Sequence, residues 1–184
     1  MRRHLLALLV ALLVVAGGAS MAVAKAPAEL TATGPTRVTG TSATAVFQVG
    51  DRTVRQVRYH DKGTLVYGFS LRNDGSLPLT VEGLAPLARA PKLFRYLTLV
   101  DDSGSDRFEV GPGKSVAVEL RMRMEACEKL SARAGSFATE VNLSTTRVGF
   151  LDEVVQVTLP EQLHTGSPRE AFCPDSTASS RPPG

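Results

Sequence analysis

Apolar residues recur at every second position through most of the interior of this chain. The alternation is clearest over Thr64–Arg72 and Lys114–Met124. Successive side chains of a β-strand point to opposite faces, so a period of two predicts strands with one buried and one wet face. The predicted inward-facing residues of these two segments are Leu65, Tyr67, Phe69 and Leu71, then Val116, Val118, Leu120, Met122 and Met124.

Shorter runs extend the same pattern along the chain. They cover Val54–Tyr59, Leu77–Leu84, Leu93–Val100, Arg107–Val110, Phe137–Leu143 and Val155–Leu159. In the fifth of these runs we place Phe137, Thr139, Val141 and Leu143 on one face. Tight-turn sequences separate the runs at Asp61-Lys62-Gly63, Asn73-Asp74-Gly75 and Gly111-Pro112-Gly113. The pattern predicts an all-β fold, an antiparallel two-sheet sandwich of roughly seven to nine strands.

The N-terminal segment has a different pattern. Arg2-Arg3 precede an apolar run over Leu5–Ala16, and small residues end in Ala22-Val23-Ala24. A charged start, a short apolar stretch and an A-x-A site indicate a secretory signal peptide over residues 1–24. The apolar run is shorter than the roughly 20 residues that cross a bilayer. An uncleaved anchor stays open as the alternative.

The rest of the chain divides by composition. Residues 25–43 are rich in Pro, Thr, Ala and Gly and are predicted to be a flexible linker. Residues 44–160 form the sandwich domain, and residues 161–184 a mostly disordered tail. Only Glu125–Ala134 has a sequence that favours a helix.

Signal cleavage changes the electrostatic interpretation. The full chain has 21 Lys plus Arg against 18 Asp plus Glu, a net charge of +3. Loss of Arg2 and Arg3 leaves 19 basic against 18 acidic residues, a net charge of +1. The basic residues are not clustered as phosphate backbones require, so nucleic acid is excluded as a partner.

Two segments resemble a known family. They are Leu71-Arg72-Asn73-Asp74-Gly75-Ser76-Leu77-Pro78-Leu79-Thr80-Val81 and Val110-Gly111-Pro112-Gly113-Lys114-Ser115-Val116-Ala117-Val118. Both are similar to the turn signature of immunoglobulin-like modules. The closest families in pattern are the ASH and CARDB-type domains of exported bacterial proteins. The resemblance implies an immunoglobulin-like sandwich with a binding or scaffolding role, and it carries over no catalytic residue. Residues 125–135 are longer than the family pattern, and the cysteines are not part of it.

Cys127 and Cys173 are the two cysteines of the chain. In an oxidising compartment we expect them to form a disulfide that tethers the tail. The alternative, a thiolate pair that binds metal or exchanges disulfides, lacks neighbouring Cys or His residues.

Two segments are candidate metal sites. The loop Asp101-Asp102-Ser103-Gly104-Ser105-Asp106 clusters oxygens that calcium prefers, with Asp101, Asp102 and Asp106 as candidate ligands. Met122 and Met124 are candidate Cu(I) ligands, to which His60 or His164 would add a nitrogen. A solvated turn and core packing are the favoured interpretations of the two segments, so we assign no metal and no cofactor.

The sequence favours a non-catalytic function. Ser103 with His60 and Asp74 has the residue types of a hydrolase but lacks a glycine-rich surround that would form an oxyanion hole. We expect a secreted or extracytoplasmic protein, not an enzyme, that binds or scaffolds a protein or cell-envelope partner. Membrane association is expected only if the signal is uncleaved. The alternative is an exported protein that binds calcium at residues 101–106 or copper at Met122 and Met124.

Overall fold

Ten β-strands make up the regular structure of the described part of this protein. The computed structural model describes residues 28–41, 43–59, 62–88, 93–125 and 136–165, and these residues contain no helix. In chain order the strands are β1 (Leu30–Thr39), β2 (Ala43–Val49), β3 (Arg52–Arg58), β4 (Thr64–Asn73), β5 (Leu79–Leu84), β6 (Phe94–Asp101), β7 (Phe108–Val110), β8 (Ser115–Met124), β9 (Phe137–Arg147) and β10 (Leu151–His164). The all-β prediction is confirmed.

The strands form two sheets. One has four strands in the order β1-β4-β8-β6, and the other has six in the order β2-β3-β10-β9-β5-β7. All neighbours are antiparallel except β3 and β10, which pair in parallel through Val54–Gln56 and Gln162–His164. None of the described segments is a helix with the length and hydropathy needed for a bilayer crossing.

The core lies between the sheets and is built from the predicted alternation. On β4 the predicted inward residues are at most 3% exposed, and on β8 those from Val118 to Met124 are at most 2% exposed. Val116 is only partly buried but packs against the same core. Since β4 and β8 pair in continuous register from Thr64–Arg123 to Arg72–Ser115, their apolar faces form one surface.

The predicted face of β9 is wrong at its beginning. Ala138 is buried at 2% exposure, whereas Phe137 is 51% exposed. The register between β9 and β10 shifts between the pairs Thr158–Glu140 and Leu163–Ala138. Such a bulge changes which residues face the core, so strict alternation cannot be extended across it.

The predicted domain boundaries also need correction. The linker expected over residues 25–43 contains β1, which pairs with β4 and buries Leu30 at 8% exposure. Residues 161–164, expected to belong to the tail, instead complete β10. The alternation of apolar residues does not reveal β1, because this edge strand contains Pro35 and many small polar residues. Residues 126–135 and 166–184 lie outside the described residues.

The side chain of Asn73 joins the turns that connect the two sheets. It is 0% exposed. Its Nδ2 donates to the carbonyls of Leu77 at 2.7 Å and Val110 at 2.9 Å, and its Oδ1 accepts from the amide of Gly75 at 2.9 Å. Its backbone amide donates to the Lys114 carbonyl at 3.0 Å. This network gives a structural reason for the asparagine in the Asn73-Asp74-Gly75 segment.

A second buried polar contact joins β3 to β10. The Arg55 Nε donates to Glu161 Oε1 at 2.7 Å, with 16% and 4% of the two side chains exposed. Arg55 Nη2 also donates to Thr36 Oγ1 of β1 at 3.2 Å, so the guanidinium contacts the opposite sheet. Burial raises the pKa of the nearby Tyr67 hydroxyl well above its usual value, and the charge of Glu161 raises it further.

We predict that Asn73→Ala lowers the free energy of unfolding by about 2–4 kcal/mol, because buried carbonyls and an amide lose their partner.

Asn73→Asp should lower the free energy of unfolding more at pH 7 than at pH 4. Its carboxylate would face two carbonyl oxygens, which raises its pKa and makes the loss grow as the pH rises above about 4. Urea denaturation at both pH values measures this. Asn142→Ala is the control, since among the described residues the Asn142 side chain donates one hydrogen bond, to the Pro86 carbonyl. Equal losses of unfolding free energy at the two sites would contradict the prediction.

We predict that Arg55→Met destabilises the protein by about 3–5 kcal/mol, because it leaves Glu161 buried without its cation. The double variant Arg55→Met/Glu161→Leu should recover most of that loss, since neither charge remains buried. Arg37→Met, which removes an exposed ion pair with Glu119, should cost less than about 1 kcal/mol. Chemical denaturation of the wild type, these three variants and the single variant Glu161→Leu tests the pattern; if the losses of the two single variants add up in the double variant, the pair is not coupled.

Candidate functional site

The predicted calcium loop is a turn closed by its own hydrogen bonds. Asp101 Oδ1 accepts from the Ser103 amide at 3.0 Å, the Ser103 hydroxyl at 2.7 Å and the Ser105 amide at 2.8 Å. The Ser103 hydroxyl, followed by the Ser105 amide, holds the pKa of Asp101 below its usual value. The arrangement accounts for Asp101 as the residue that orders the turn.

The three predicted calcium ligands do not form a metal-binding group in the described structure. Asp102 and Asp106 are both exposed. Within the described parts of the chain, no three His, Cys, Asp or Glu side chains are grouped as a metal ion would require.

Met122 and Met124 lie in the core, each 2% exposed. Met122 is paired with Leu65 of β4, and Met124 with Phe94 of β6. His164 belongs to the other sheet, where its ring stacks on Phe137 at 4.6 Å between centroids. The structure therefore does not bring His164 and the methionines together, and His60 lies outside the described residues.

Ser103 and Asp74, the described residues of the hydrolase alternative, each contact a different neighbour rather than each other. The Ser103 hydroxyl donates to Asp101, and Asp74 forms an ion pair with Arg72 at 2.8 Å. Cys127 and Cys173 lie outside the described residues, so the disulfide stays a prediction.

Strand β2 is the feature that sequence reasoning missed. It falls mostly at the start of the predicted domain, yet no strand was predicted before Val54. All seven of its residues are exposed, which means that both faces of the strand are open. The segment does alternate, because Thr44 and Gln48 separate the apolar Ala43, Ala45, Phe47 and Val49. The signal is weak, since two of the four apolar residues are alanines and Val46 interrupts the polar face. A second signal was the absence of charge, Pro and Gly ahead of the Gly50-Asp51 turn.

The four sheet edges differ in how they would accept another strand. At β1 the pairing with β4 shifts between Thr33 and Arg37, around Pro35. At β6 the pairing with β8 shifts between Tyr96 and Thr98, and β7 has three residues. Proline, irregular register and short length are the devices by which natural sheets protect their edges. β2 has none of them, because its seven residues pair with β3 without interruption and carry no charge.

Exposed apolar side chains lie along β2. Val46 and Phe47 are each 48% exposed and Val49 is 61% exposed. An open hollow of about 320 Å³ beside them is lined by Ala43, Thr44, Ala45, Phe47, Gln56, Val57 and Arg58. We call the strand with this hollow the β2 edge.

The outer sheet surface continues from the β2 edge toward Phe137. Ala45, Gln56, His164 and Phe137 are successive partners across β2, β3, β10 and β9. The exposed Phe137 ring, stacked on His164, therefore lies in the same row as the middle of β2.

Comparison with known proteins adds little to this geometry. No protein-family model matches the chain, and no curated protein matches it. Among solved structures, the cupredoxin domain of amoB from Nitrosocaldus yellowstonii is similar, with 11% identity and a TM-score of 0.27. The match covers 66% of this chain and 65% of that chain, slightly less than two thirds of its length. A likeness this weak assigns no chemistry, so the β-sandwich is established by the strand pairing of the chain itself.

We predict that Ser103→Ala raises the pKa of Asp101 toward its ordinary value, because the hydroxyl that favours the carboxylate is removed. The depressed pKa stabilises the fold above the unfolded pKa of about 3.9, and this contribution is lost as the pH falls through the folded value. Titration of the Asp101 carboxyl carbon by NMR measures the change.

Ser105→Ala is the matched control for this titration, because Ser105 binds Asp101 through its backbone amide and its hydroxyl donates to Arg107 instead. Calcium chloride added to the same sample should leave the Asp101, Asp102 and Asp106 carbons unshifted. Saturable shifts would support the calcium site.

Proposed function

We propose that this protein is an extracytoplasmic, non-catalytic binding module that pairs an extended segment of a partner polypeptide with β2. The proposal depends on one observation: a regular seven-residue edge strand that has neither charge nor proline and is exposed on both faces. The leader-like segment at residues 1–24 supports the extracytoplasmic location.

An edge strand presents unpaired backbone donors and acceptors in a fixed array. A segment that adds to such an edge gains hydrogen bonds from its own backbone, so affinity depends little on its sequence. Specificity then comes from the side chains, which alternate between the two faces. The outer face of β2 offers Ala43, Ala45, Phe47 and Val49, and the inner face offers Thr44, Val46 and Gln48.

The exposed apolar area supports binding at this edge. Full burial of a Val or Phe side chain stabilises by roughly 1.5–3 kcal/mol. Covering the exposed halves of Val46, Phe47 and Val49 would contribute roughly 3 kcal/mol in addition to the backbone hydrogen bonds. Part of this gain is offset by the cost of association, so we expect a reversible complex.

The described polar clusters are used within the fold, which also supports a binding role. Asn73 satisfies turn carbonyls, Arg55 neutralises Glu161, and Asp101 closes its own loop. Calcium at residues 101–106 remains the alternative that the titration above tests.

Site-specific crosslinking tests the proposal. We predict that a photoreactive benzoylphenylalanine in place of Phe47 captures discrete polypeptides in the native source, and that the same residue in place of Phe150 does not. Phe150 is a matched control because it is also an exposed phenylalanine, at 70%, but lies between β9 and β10. Capture at residue 47 should disappear when Ala45→Lys is added, since a charge on an edge blocks strand addition.

Equal capture at residues 47 and 150 would contradict the proposal that a partner binds at the β2 edge. So would capture at residue 47 that persists with Ala45→Lys. Thermal unfolding of each variant checks that the sandwich is intact.

A further inference from the structure

The β2 edge is complementary to itself, and we infer that the polypeptide it binds is a second copy of this chain. This inference rests on the proposed function, because it identifies the partner of the same edge. The two copies would pair β2 with β2 antiparallel about a two-fold axis at Val46, and the six-stranded sheets would join into one continuous sheet.

The outer face supports this register. With Val46 on the axis, Ala45 of one copy lies opposite Phe47 of the other, and Ala43 lies opposite Val49. Each large side chain thus meets a small one, twice on each side of the axis. Directly opposite side chains in an antiparallel pair have Cβ atoms about 4.5–5.5 Å apart, so a large residue facing a small one avoids a clash.

The inner face matches as well. Val46 meets its own copy at the axis, and Thr44 meets Gln48 on either side. Apolar side chains therefore face apolar ones, and polar side chains face polar ones.

Neighbouring registers lose these matches. An axis at Ala45 places Thr44 opposite Val46 and leaves Gln48 and Val49 beyond the paired segment of the other strand. An axis at Phe47 places two Phe47 rings opposite each other, and Ala43 opposite the charged Asp51. Only the axis at Val46 pairs all seven residues of β2.

The charge pattern permits self-pairing. A charged residue at the two-fold axis would face the same charge on the other copy, which is destabilising. No residue from Ala43 to Val49 is charged. The next strand, β3, carries Arg52, Arg55 and Arg58, but in the joined sheet it is separated from its copy by both β2 strands.

The size of the contact sets the expected strength. Seven paired residues extend over about 23 Å, and such a ribbon is at or below the roughly 1,200 Å² at which standard protein interfaces begin. We therefore expect a dimer that forms and dissociates with concentration.

Charge exchange at the axis tests the inference. Sedimentation of the purified protein over a hundredfold concentration range should show a monomer–dimer equilibrium. Val46→Lys and Val46→Glu should each raise the dimer dissociation constant at least tenfold, because like charges then meet at the axis. An equimolar mixture of the two variants should restore dimers, since opposite charges now meet.

Val154→Lys is the control, because Val154 is 62% exposed but lies on β10, inside the sheet. It should dimerise as the wild type does. Thermal unfolding of each monomer separates a lost contact from a lost fold, and the recovery in the mixture shows directly that both variants are folded.

The outcomes distinguish the inference from the proposed function. A dimer insensitive to both Val46 variants, or one that the mixture does not restore, would overturn the inference. A protein that stays monomeric while the residue-47 crosslinker captures a different polypeptide would overturn the inference and leave the proposed function standing. A monomer with no specific capture would overturn both.

Discussion

The buried amide of Asn73 is the interaction on which the arrangement of the two sheets depends. The chain crosses from the four-stranded to the six-stranded sheet between β4 and β5, visits the four-stranded sheet again at β6, and crosses back to it once more between β7 and β8. Asn73 bonds to Leu77 in the first crossing and to Val110 at the start of the last. A hydrogen-bonding side chain at this buried point satisfies backbone groups that neither sheet can pair. The two crossings are therefore held together, and with them the spacing of the sheets.

Among the described strands, the edges β1, β6 and β7 are protected, whereas the edge β2 is exposed. Pairing is irregular at β1 and β6, and β7 is short, so these edges offer poor templates. The β2–β3 ribbon is attached differently, through the parallel pairing of β3 with β10 and the buried contact of Arg55 with Glu161. This attachment secures β3, whereas all residues of β2 are exposed, which is why we place the proposed binding at the β2 edge.

Much of the fold followed from the alternation of apolar residues, whereas the candidate site did not. The inward faces of β4 and β8, including Met122 and Met124, are as predicted because a regular strand places alternate residues on one face. The prediction failed at Phe137, where the β9–β10 pairing contains a bulge. It also failed for β1, whose small residues and Pro35 are typical of a linker. The β2 edge was missed because the alternation of β2 is weak: its apolar face contains two alanines, and Val46 interrupts its polar face.

By itself, the sequence determined the all-β class, the positions of the central strands and the turns between them, because these depend on local periodicity and local turn chemistry. It also places Asn73 in a predicted turn, although it does not show which backbone groups the Asn73 side chain contacts. Only the tertiary structure decided which strands lie at an edge, which residues face outward beside a bulge, and which polar side chains are used within the fold. Those properties depend on pairing between segments far apart in the chain, such as β1 with β4 and β3 with β10. The edge position of β2 is one of these properties, so the strand on which the proposed function depends could be identified only from the pairing of the other strands.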